Sequence, residues 1–134
     1  MDQTTAKDIM TADPITIREG DTIEQALKVL VNQRVTGLPV VDKKGKMVGV
    51  ISEYDIIQQL SKHDQIKPSV FREKAMFSEK PFGLPESTPL KEIVKHFLDQ
   101  KFRRIPIVDK NGKLKGIITR RDLMRVYFYR ATVK

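Results

Sequence analysis

An internal repeat is the feature that most constrains how this chain can fold. Shifting the 134-residue sequence by 67 positions places residues 37–46 over residues 104–113, and the match continues without a gap until Asp55 lies over Asp122. Within residues 37–55, the positions identical in both copies are Pro39, Val41, Asp42, Lys43, Gly45, Lys46, Gly49, Ile51 and Asp55. Because a repeat of this length corresponds to one supersecondary unit, two copies of a single unit account for nearly the whole chain.

Each copy predicts the element order β-α-β-β-α. Residues 14–17 open the first copy as an extended segment, and residues 21–24 (Asp-Thr-Ile-Glu) fit a capping box before apolar residues that recur at helical spacing. The second copy places Thr88 as N-cap and Pro89 at the first helical position.

Two hairpins are predicted at equivalent places in the copies. Strands over residues 38–42 and 46–51 are joined by Lys-Lys-Gly, and the second copy has Lys-Asn-Gly at residues 110–112, where Asn-Gly tolerates positive φ. A second helix follows each hairpin.

The predicted fold class is α/β (α+β), with two pseudo-symmetric β-α-β-β-α units packed as one compact module. The predicted boundaries are residues 7–62 for unit 1, 63–73 for a connector and 74–131 for unit 2. Since neither half buries much surface alone, we expect the halves to pack face to face and to form clefts between them.

Charge and composition limit the classes of protein to which this chain can belong. The net charge is +8, and the first 67 residues carry 9 basic and 10 acidic side chains against 16 and 7 in the remainder, so the basic excess lies in the second half. The chain has no cysteine, its N-terminus lacks a signal-peptide pattern and no run is long and apolar enough to cross a bilayer. We expect a cytoplasmic protein without membrane attachment.

The same short motif closes each hairpin, GVISEYD at residues 49–55 and GIITRRD at residues 116–122. One interpretation is a capping box, in which Ser52 with Asp55, and Thr119 with Asp122, satisfy amide groups of the first helical turn. The other is an anion site, because a strand entering a helix exposes amides, its aspartate can accept from ribose hydroxyls and its hydroxyl can donate to phosphate. The two roles are compatible.

The repeated β-α-β-β-α unit, with its Pro-φ-Val-Asp hairpin followed by Gly-x-x-[Ser/Thr]-x-x-Asp, resembles a tandem cystathionine-β-synthase (CBS) domain pair, also called a Bateman module. The resemblance covers about residues 7–130. It implies a regulatory module that binds adenosine-containing nucleotides (AMP, ADP, ATP or S-adenosylmethionine), without a required cofactor and without catalysis. It also implies a homodimer that signals to a separate partner protein.

The resemblance assigns roles to particular residues. Asp122 and Asp55 match the ribose-binding aspartate, and Thr119 and Ser52 match the hydroxyl that reaches ribose or the α-phosphate. The adenine would be held by backbone and apolar side chains near the opening strand of a unit. These are Thr16 and Ile17 in the first copy, and Phe82 and Leu84 in the second.

The two sites are expected to differ in their preference for phosphate. Basic residues just before the central strand contact phosphate in a family member, and they correspond here to Arg103 and Arg104. Arg120 and Arg121 add two further guanidinium groups near Asp122. Since arginine is suited to phosphate recognition, the Asp122 site should prefer a phosphorylated ligand more strongly than the Asp55 site. The alternative is a solvated basic face.

An apolar run over residues 123–129 exceeds what one core-facing helical stripe needs, which predicts a homodimer interface shared with residues 54–60.

The runner-up function is nucleic-acid binding through the basic second half, although no recognition motif supports it. An enzyme acting on nucleotides ranks lowest, because no metal-holding carboxylate cluster is evident. His63 and His96 lack partners at ligand spacing, so no metal site is predicted.

Overall fold

A computed structural model describes residues 3–79, 81–100 and 102–132 of the chain. The α-helices are α1 (Ala6–Ile9), α2 (Ile23–Gln33), α3 (Glu53–Leu60), α4 (Leu90–Gln100) and α5 (Arg120–Thr132). The strands are β1 (Thr11–Ala12), β2 (Ile17–Arg18), β3 (Gly37–Val41), β4 (Met47–Ser52), β5 (Leu84–Pro85), β6 (Arg104–Val108) and β7 (Leu114–Thr119). A 3-10 helix covers Pro68–Arg72. The mixed α+β class and the duplicated element order predicted from the repeat are confirmed.

The chain forms two compact units, each built around one copy of the repeat. The first unit is Ile15–Pro81, and the second combines Phe82–Lys134 with Met1–Pro14. The segment before the first repeat therefore belongs to the unit of the second repeat, and the segment between the repeats belongs to the first unit. The predicted boundaries of the two repeats and their connector, residues 7–62, 63–73 and 74–131, describe the sequence copies and stay a prediction.

In the first unit, β2 pairs in parallel with β3, and β3 pairs antiparallel with β4. The burial pattern of β4 alternates, which indicates that one face of this sheet packs on the core. The fully buried residues of this core include Ile23 of α2, Val40 of β3 and Ile51 of β4.

The second unit repeats this arrangement and adds one strand. Its sheet order is β1-β7-β6-β5, in which β1 comes from the N-terminal segment and pairs antiparallel with β7. Its core includes Ala6 of α1 beside Ile93, Ile105 and Ile118, all at 0% exposure. Burial of Ala6 shows that the N-terminal segment is an integral part of the second unit.

The glycine of each motif lies where another segment of the same unit packs against the sheet. These crossing segments are residues 77–78 at Gly49 and residues 10–11 at Gly116. A Cβ at Gly116 would collide with Met10 and would lie 3.0 Å from the carbonyl oxygen of Thr11, and a Cβ at Gly49 would collide with the carbonyl of Ser78 and approach Phe77 to 2.7 Å. Only glycine permits such a close approach of two backbones. The glycine therefore serves packing in both copies.

Two predicted helix starts differ from the structure. The first capping box is formed by Thr22 and Gln25, one residue later than predicted, while Asp21 accepts a hydrogen bond from the amide of Arg18 at 2.9 Å. In the second copy α4 begins at Leu90, and the Thr88 hydroxyl donates to the Pro85 carbonyl at 2.7 Å instead of capping the helix.

The hairpins are held by the aspartate of the Pro-φ-Val-Asp motif, to which the sequence analysis assigned no role. Asp42 Oδ1 accepts hydrogen bonds from the amides of Lys44 and Lys46 at 2.8 and 3.0 Å, and Asp109 repeats this pattern. The bond from Lys46 is the main cause that lowers the pKa of Asp42 below its ordinary value. The turn glycines Gly45 and Gly112 have φ of 84° and 85°.

Candidate functional site

The two strand-to-helix corners have the same local geometry. At the first, Asp55 Oδ2 accepts from the amide and hydroxyl of Ser52 at 2.8 and 2.9 Å. At the second, Asp122 Oδ2 accepts from the amide and hydroxyl of Thr119 at 2.7 and 3.0 Å. In both, the hydroxyl oxygen accepts the amide of the aspartate at 3.2 Å.

These distances show that the capping-box interpretation is correct for both motifs. One carboxylate oxygen of each aspartate is used by the cap, and each hydroxyl already donates its proton to that oxygen. The second oxygen, Oδ1, remains the atom that a ligand hydroxyl could reach. At Asp122 this oxygen lies 3.5 Å from Nη1 of Arg125, whose side chain is 70% exposed.

A groove of about 510 Å³ adjoins the Asp122 corner and lies entirely within the second unit. Its lining residues come from the N-terminal segment and from α5: Thr4, Asp8, Ile9, Met10, Thr11, Asp122, Arg125, Val126, Tyr129 and Arg130. We call this the Asp122 groove. Its volume falls within the range of small-ligand sites, and it combines apolar walls with a few polar groups, as such sites do.

Two arginines of this groove were missed by the sequence analysis. Arg125 and Arg130 both line it, and Arg130 Nη2 donates to the hydroxyl of Thr4 at 2.6 Å. Helical spacing could have identified Arg125, because it lies three residues after Asp122 on the same face of α5. No local signal could have identified Thr4 or Asp8, which reach the groove only because the N-terminal segment packs against α5.

The arginines predicted as phosphate contacts are not among the residues that line the Asp122 groove. Arg120 Nε donates to the carbonyl of Phe102 at 3.2 Å, and its side chain lines a different groove, between α4 and α5. Arg103 and Arg121 are exposed. Arg104 pairs with Thr119 across β6 and β7, and burial, followed by the charge of Arg103, lowers its pKa below the ordinary arginine value. Arg104 thus adjoins the corner and remains a candidate ligand contact.

The residues predicted to hold adenine are largely engaged in the cores. Ile17 is 2% exposed and Leu84 is 8% exposed, so each offers a ligand its backbone and not its side chain. The ring of Phe82 stacks on Phe102 with centroids 5.1 Å apart. Thr16 is half-buried just before β2.

Gly83 occupies the position of Thr16 in the second copy and packs closely against β6. A Cβ at Gly83 would lie 2.9 Å from Cγ1 of Val108 and 3.3 Å from the carbonyl oxygen of Pro106. A side chain at this position would therefore require Val108 or the chain at Gly83 to move.

The Asp55 corner has different neighbours. Gln59, the counterpart of Val126, is 6% exposed and bridges to the segment between the repeats. Its Nε2 donates to the carbonyl of Lys74 at 2.9 Å, and its Oε1 accepts from the amide of Met76 at 2.8 Å. Backbone hydrogen bonds place Glu73 where the second unit has Thr4, because the carbonyl of Glu73 accepts from the amide of Ile23 as the carbonyl of Thr4 accepts from the amide of Leu90. In the same way Ala75 takes the place of Ala6.

Neither a metal centre nor a membrane span is found in the part of the chain that the structure describes. No three histidine, aspartate or glutamate side chains among the described residues are grouped so as to hold an ion. No helix within those residues has both the length and the apolar character that crossing a bilayer requires.

Comparisons with known proteins agree with the repeat. A family model described as CBS domain matches residues 6–62 and 74–129. The CBS domain-containing protein CBSX1, chloroplastic, of Arabidopsis thaliana is 33% identical over 138 residues, covering 81% of this chain and 57% of that protein. Inosine-5'-monophosphate dehydrogenase of Aquifex aeolicus is 31% identical over 116 residues, covering 87% of this chain and 23% of the enzyme. The chain thus spans only part of the length of these relatives.

Two solved structures are similar over almost the whole chain. CBSX2 in complex with AMP has a TM-score of 0.79 and 31% identity, and covers 95% of this chain and 98% of that one. The CBS domain pair of protein MJ0100, in complex with 5-methylthioadenosine and S-adenosyl-L-methionine, has a TM-score of 0.74 and 26% identity over 95% and 98% of the two chains.

Proposed function

Since the chain belongs to the CBS domain family, with one CBS domain in each repeat, we propose that it is a regulatory module that senses an adenosine-containing nucleotide. The ligand class comprises AMP, ADP, ATP and S-adenosylmethionine. We place the preferred site in the Asp122 groove. The single observation that carries this proposal is a buried carboxylate, 7% exposed, that lines a groove of suitable volume beside two arginines.

The chemistry of the groove suits a nucleoside phosphate. Oδ1 of Asp122 can accept hydrogen bonds from ribose hydroxyls while Oδ2 keeps the cap, which holds the carboxylate in a fixed orientation. Arg125 and Arg130 can meet phosphate oxygens with charge-assisted hydrogen bonds. Met10 and Ile9 supply apolar surface for a base. The AMP-bound and S-adenosylmethionine-bound relatives support an adenosyl ligand.

Calorimetric titration with AMP, ADP, ATP and S-adenosylmethionine tests the ligand class. We expect saturable binding of at least one of them, and failure of all four to bind at millimolar concentration would contradict the proposal. Asp122→Ala should weaken binding more than Asp55→Ala, because only the Asp122 corner is accompanied by Arg125 and Arg130. Equal losses of binding in the two variants would contradict the prediction that the Asp122 site is the preferred one.

A second comparison separates the arginines that line the groove from those predicted by sequence alone. Arg125→Ala should weaken AMP binding about 10-fold, in keeping with a charge-assisted hydrogen bond, and should leave adenosine binding nearly unchanged. The matched control is Arg121→Ala, an exposed arginine on the same helix. A larger loss of AMP binding for Arg121→Ala than for Arg125→Ala would indicate that the phosphate binds outside the Asp122 groove.

The output of the module is part of the same proposal. Binding can shift conformation only as far as the ligand favours one arrangement, and we propose that this shift is transmitted to a separate protein by a homodimer in the cytoplasm. The chain would have no catalysis of its own, so turnover of ATP with magnesium above a blank would contradict it. A salt-dependent gel shift that survives Asp122→Ala, but not charge reversal of Arg103 and Arg104, would favour nucleic-acid binding instead.

A further inference from the structure

A second capping box lines the Asp122 groove, on the side of the N-terminal segment. Asp8 Oδ2 accepts hydrogen bonds from the amide and the hydroxyl of Thr5 at 2.8 and 3.2 Å, and Oδ2 of Asp122 accepts the equivalent pair from Thr119. Among the residues that the structure describes, no hydrogen bond or ion pair reaches Oδ1 of Asp8. Asp8 is exposed and lines the groove, so its carboxylate presents negative charge to anything bound there.

Two anchor points place Asp8 along the length of the groove. Thr11 pairs with Ile117 of β7, just before the strand-to-helix corner. Thr4 accepts a hydrogen bond from Nη2 of Arg130, near the end of α5. The N-terminal segment therefore runs antiparallel to the chain that leads from β7 into α5. Because Asp8 lies between the two anchors, it faces the middle of the α5 side of the groove.

The charges of the groove are balanced before a ligand binds. Its charged lining residues are Asp8, Asp122, Arg125 and Arg130, two of each sign. Part of the positive charge is already offset, because Nη1 of Arg125 lies 3.5 Å from Oδ1 of Asp122. The two arginines can meet a single phosphate, which carries a charge of about −2. Each further phosphate adds negative charge without an additional cation to receive it.

The spacing of residues on α5 gives the direction of a bound phosphate chain. With the ribose at Oδ1 of Asp122, Arg125 lies about one helical turn further along α5 and Arg130 about two. A monophosphate meets Arg125, whereas the outer phosphates of ATP extend towards Arg130 and pass the carboxylate of Asp8. Like charges repel more strongly in a groove that is partly shielded from water than in bulk solvent. The repulsion by Asp8 therefore grows with the number of phosphates.

We propose that Asp8 determines how many phosphates the Asp122 groove accepts, and that the groove favours AMP over ADP and ATP. This inference rests on the proposed function and specifies the ligand within its class. Asp8 acts directly on the ligand through its charge, while its capping box holds the carboxylate in a fixed place. The N-terminal segment thus contributes specificity to the groove as well as packing to the second unit.

Calorimetric titration with adenosine, AMP, ADP and ATP tests the role of Asp8, with weak ligands measured by competition against AMP. In the wild type we expect affinity to fall from AMP to ADP to ATP. Asp8→Asn should lower the ratio of the ATP to the AMP dissociation constant about 10-fold, because it removes the charge but keeps an oxygen for the Thr5 amide. Adenosine binding should stay unchanged, whereas a purely structural role of Asp8 would alter the binding of all four ligands alike.

Two further variants make the test specific to charge in the groove. Asp8→Glu keeps the charge and a capping carboxylate, so it should preserve the wild-type ratio. Asp99→Asn is the matched control, because it removes the same charge from an exposed position on α4 outside the groove, and it should leave all four affinities unchanged.

The outcomes separate this inference from the proposed function. Wild-type protein that binds ATP as tightly as AMP, or an unchanged ratio in Asp8→Asn, would overturn the role of Asp8 while nucleotide sensing stands. Loss of discrimination in Asp8→Glu equal to that in Asp8→Asn would overturn it too, because the charge would not be the cause. Wild-type protein that binds none of AMP, ADP and ATP would contradict the sensing of phosphorylated nucleotides, and this inference with it.

Discussion

The Asp55 and Asp122 corners are the same motif in two surroundings. Their cap hydrogen bonds agree to within about 0.1 Å, and their glycines both accommodate a crossing segment. Yet Asp122 lines a groove with two arginines, whereas the Asp55 corner lies near a buried glutamine that bridges to the crossing segment. Local sequence thus fixes the corner, and the segment that crosses the sheet determines what surrounds it.

The most disruptive way to examine this comparison is to add a methyl group at each motif glycine. Gly49→Ala should destabilise the protein by about 3 kcal/mol, because the new Cβ meets the rigid backbone carbonyl of Ser78. Gly116→Ala should cost about 1–2 kcal/mol, since the closest atoms belong to the flexible side chain of Met10. Urea unfolding of both variants measures the difference. A larger loss for Gly116→Ala would show that the N-terminal crossing segment is the more rigid of the two.

The glutamine bridge should matter next. Gln59→Leu leaves the carbonyl of Lys74 and the amide of Met76 without their partner, which should cost about 2–3 kcal/mol of unfolding free energy. The adjacent control Gln58→Leu alters an exposed side chain and should change stability little. If both variants unfold at the same urea concentration, the bridge does not hold the crossing segment and cannot explain the different surroundings of Asp55.

The repeat alone predicted much of this architecture. The 67-residue repeat predicted both hairpins and the helix that follows each of them, because turn residues, strand alternation and capping patterns are local signals. It placed the first helix start one residue early, since Asp21 and Thr22 are both good N-caps and only the structure shows that Asp21 binds the amide of Arg18.

What the sequence could not predict depends on contacts between distant segments. Thr4 and Asp8 join the Asp122 groove across more than a hundred residues of chain, and Gln59 reaches Lys74 across a connector without periodicity. The predicted role of Arg120 was inferred from its nearness in sequence to Asp122, but successive helical residues point in different directions, so it faces α4.

Removing the cap carboxylates compares the corners directly. Asp122→Ala should cost about 1–2 kcal/mol and Asp55→Ala about 1 kcal/mol, because both lose a helix cap but only Asp122 is buried and close to Arg125. Thermal unfolding without ligand gives these values, and each variant is then titrated with AMP. Loss of AMP binding in a variant that retains its stability would separate the ligand role of Asp122 from its cap role.

The smallest expected effect concerns the two hairpin aspartates, where the units should behave alike. At Asp109 desolvation acts to raise the pKa, but hydrogen bonds from the amides of Lys113 and Asn111 outweigh it, so the pKa is lowered from 3.8, as is that of Asp42. A carboxylate with a lowered pKa stabilises the fold above its unfolded-state pKa and loses this contribution as the pH falls through the folded-state value. Stability should therefore decline below about pH 4.

The variants Asp42→Asn and Asp109→Asn keep an oxygen acceptor for the turn amides but cannot titrate. Each should reduce the acid-induced loss of stability by a similar small amount, because both aspartates are bound by two turn amides at 2.8–3.0 Å. Urea unfolding of each variant at a series of pH values from neutral down to acid measures that loss. Unequal reductions would mean that the difference between the units extends beyond the crossing segments to the hairpins, where the local sequence of the two copies is nearly the same.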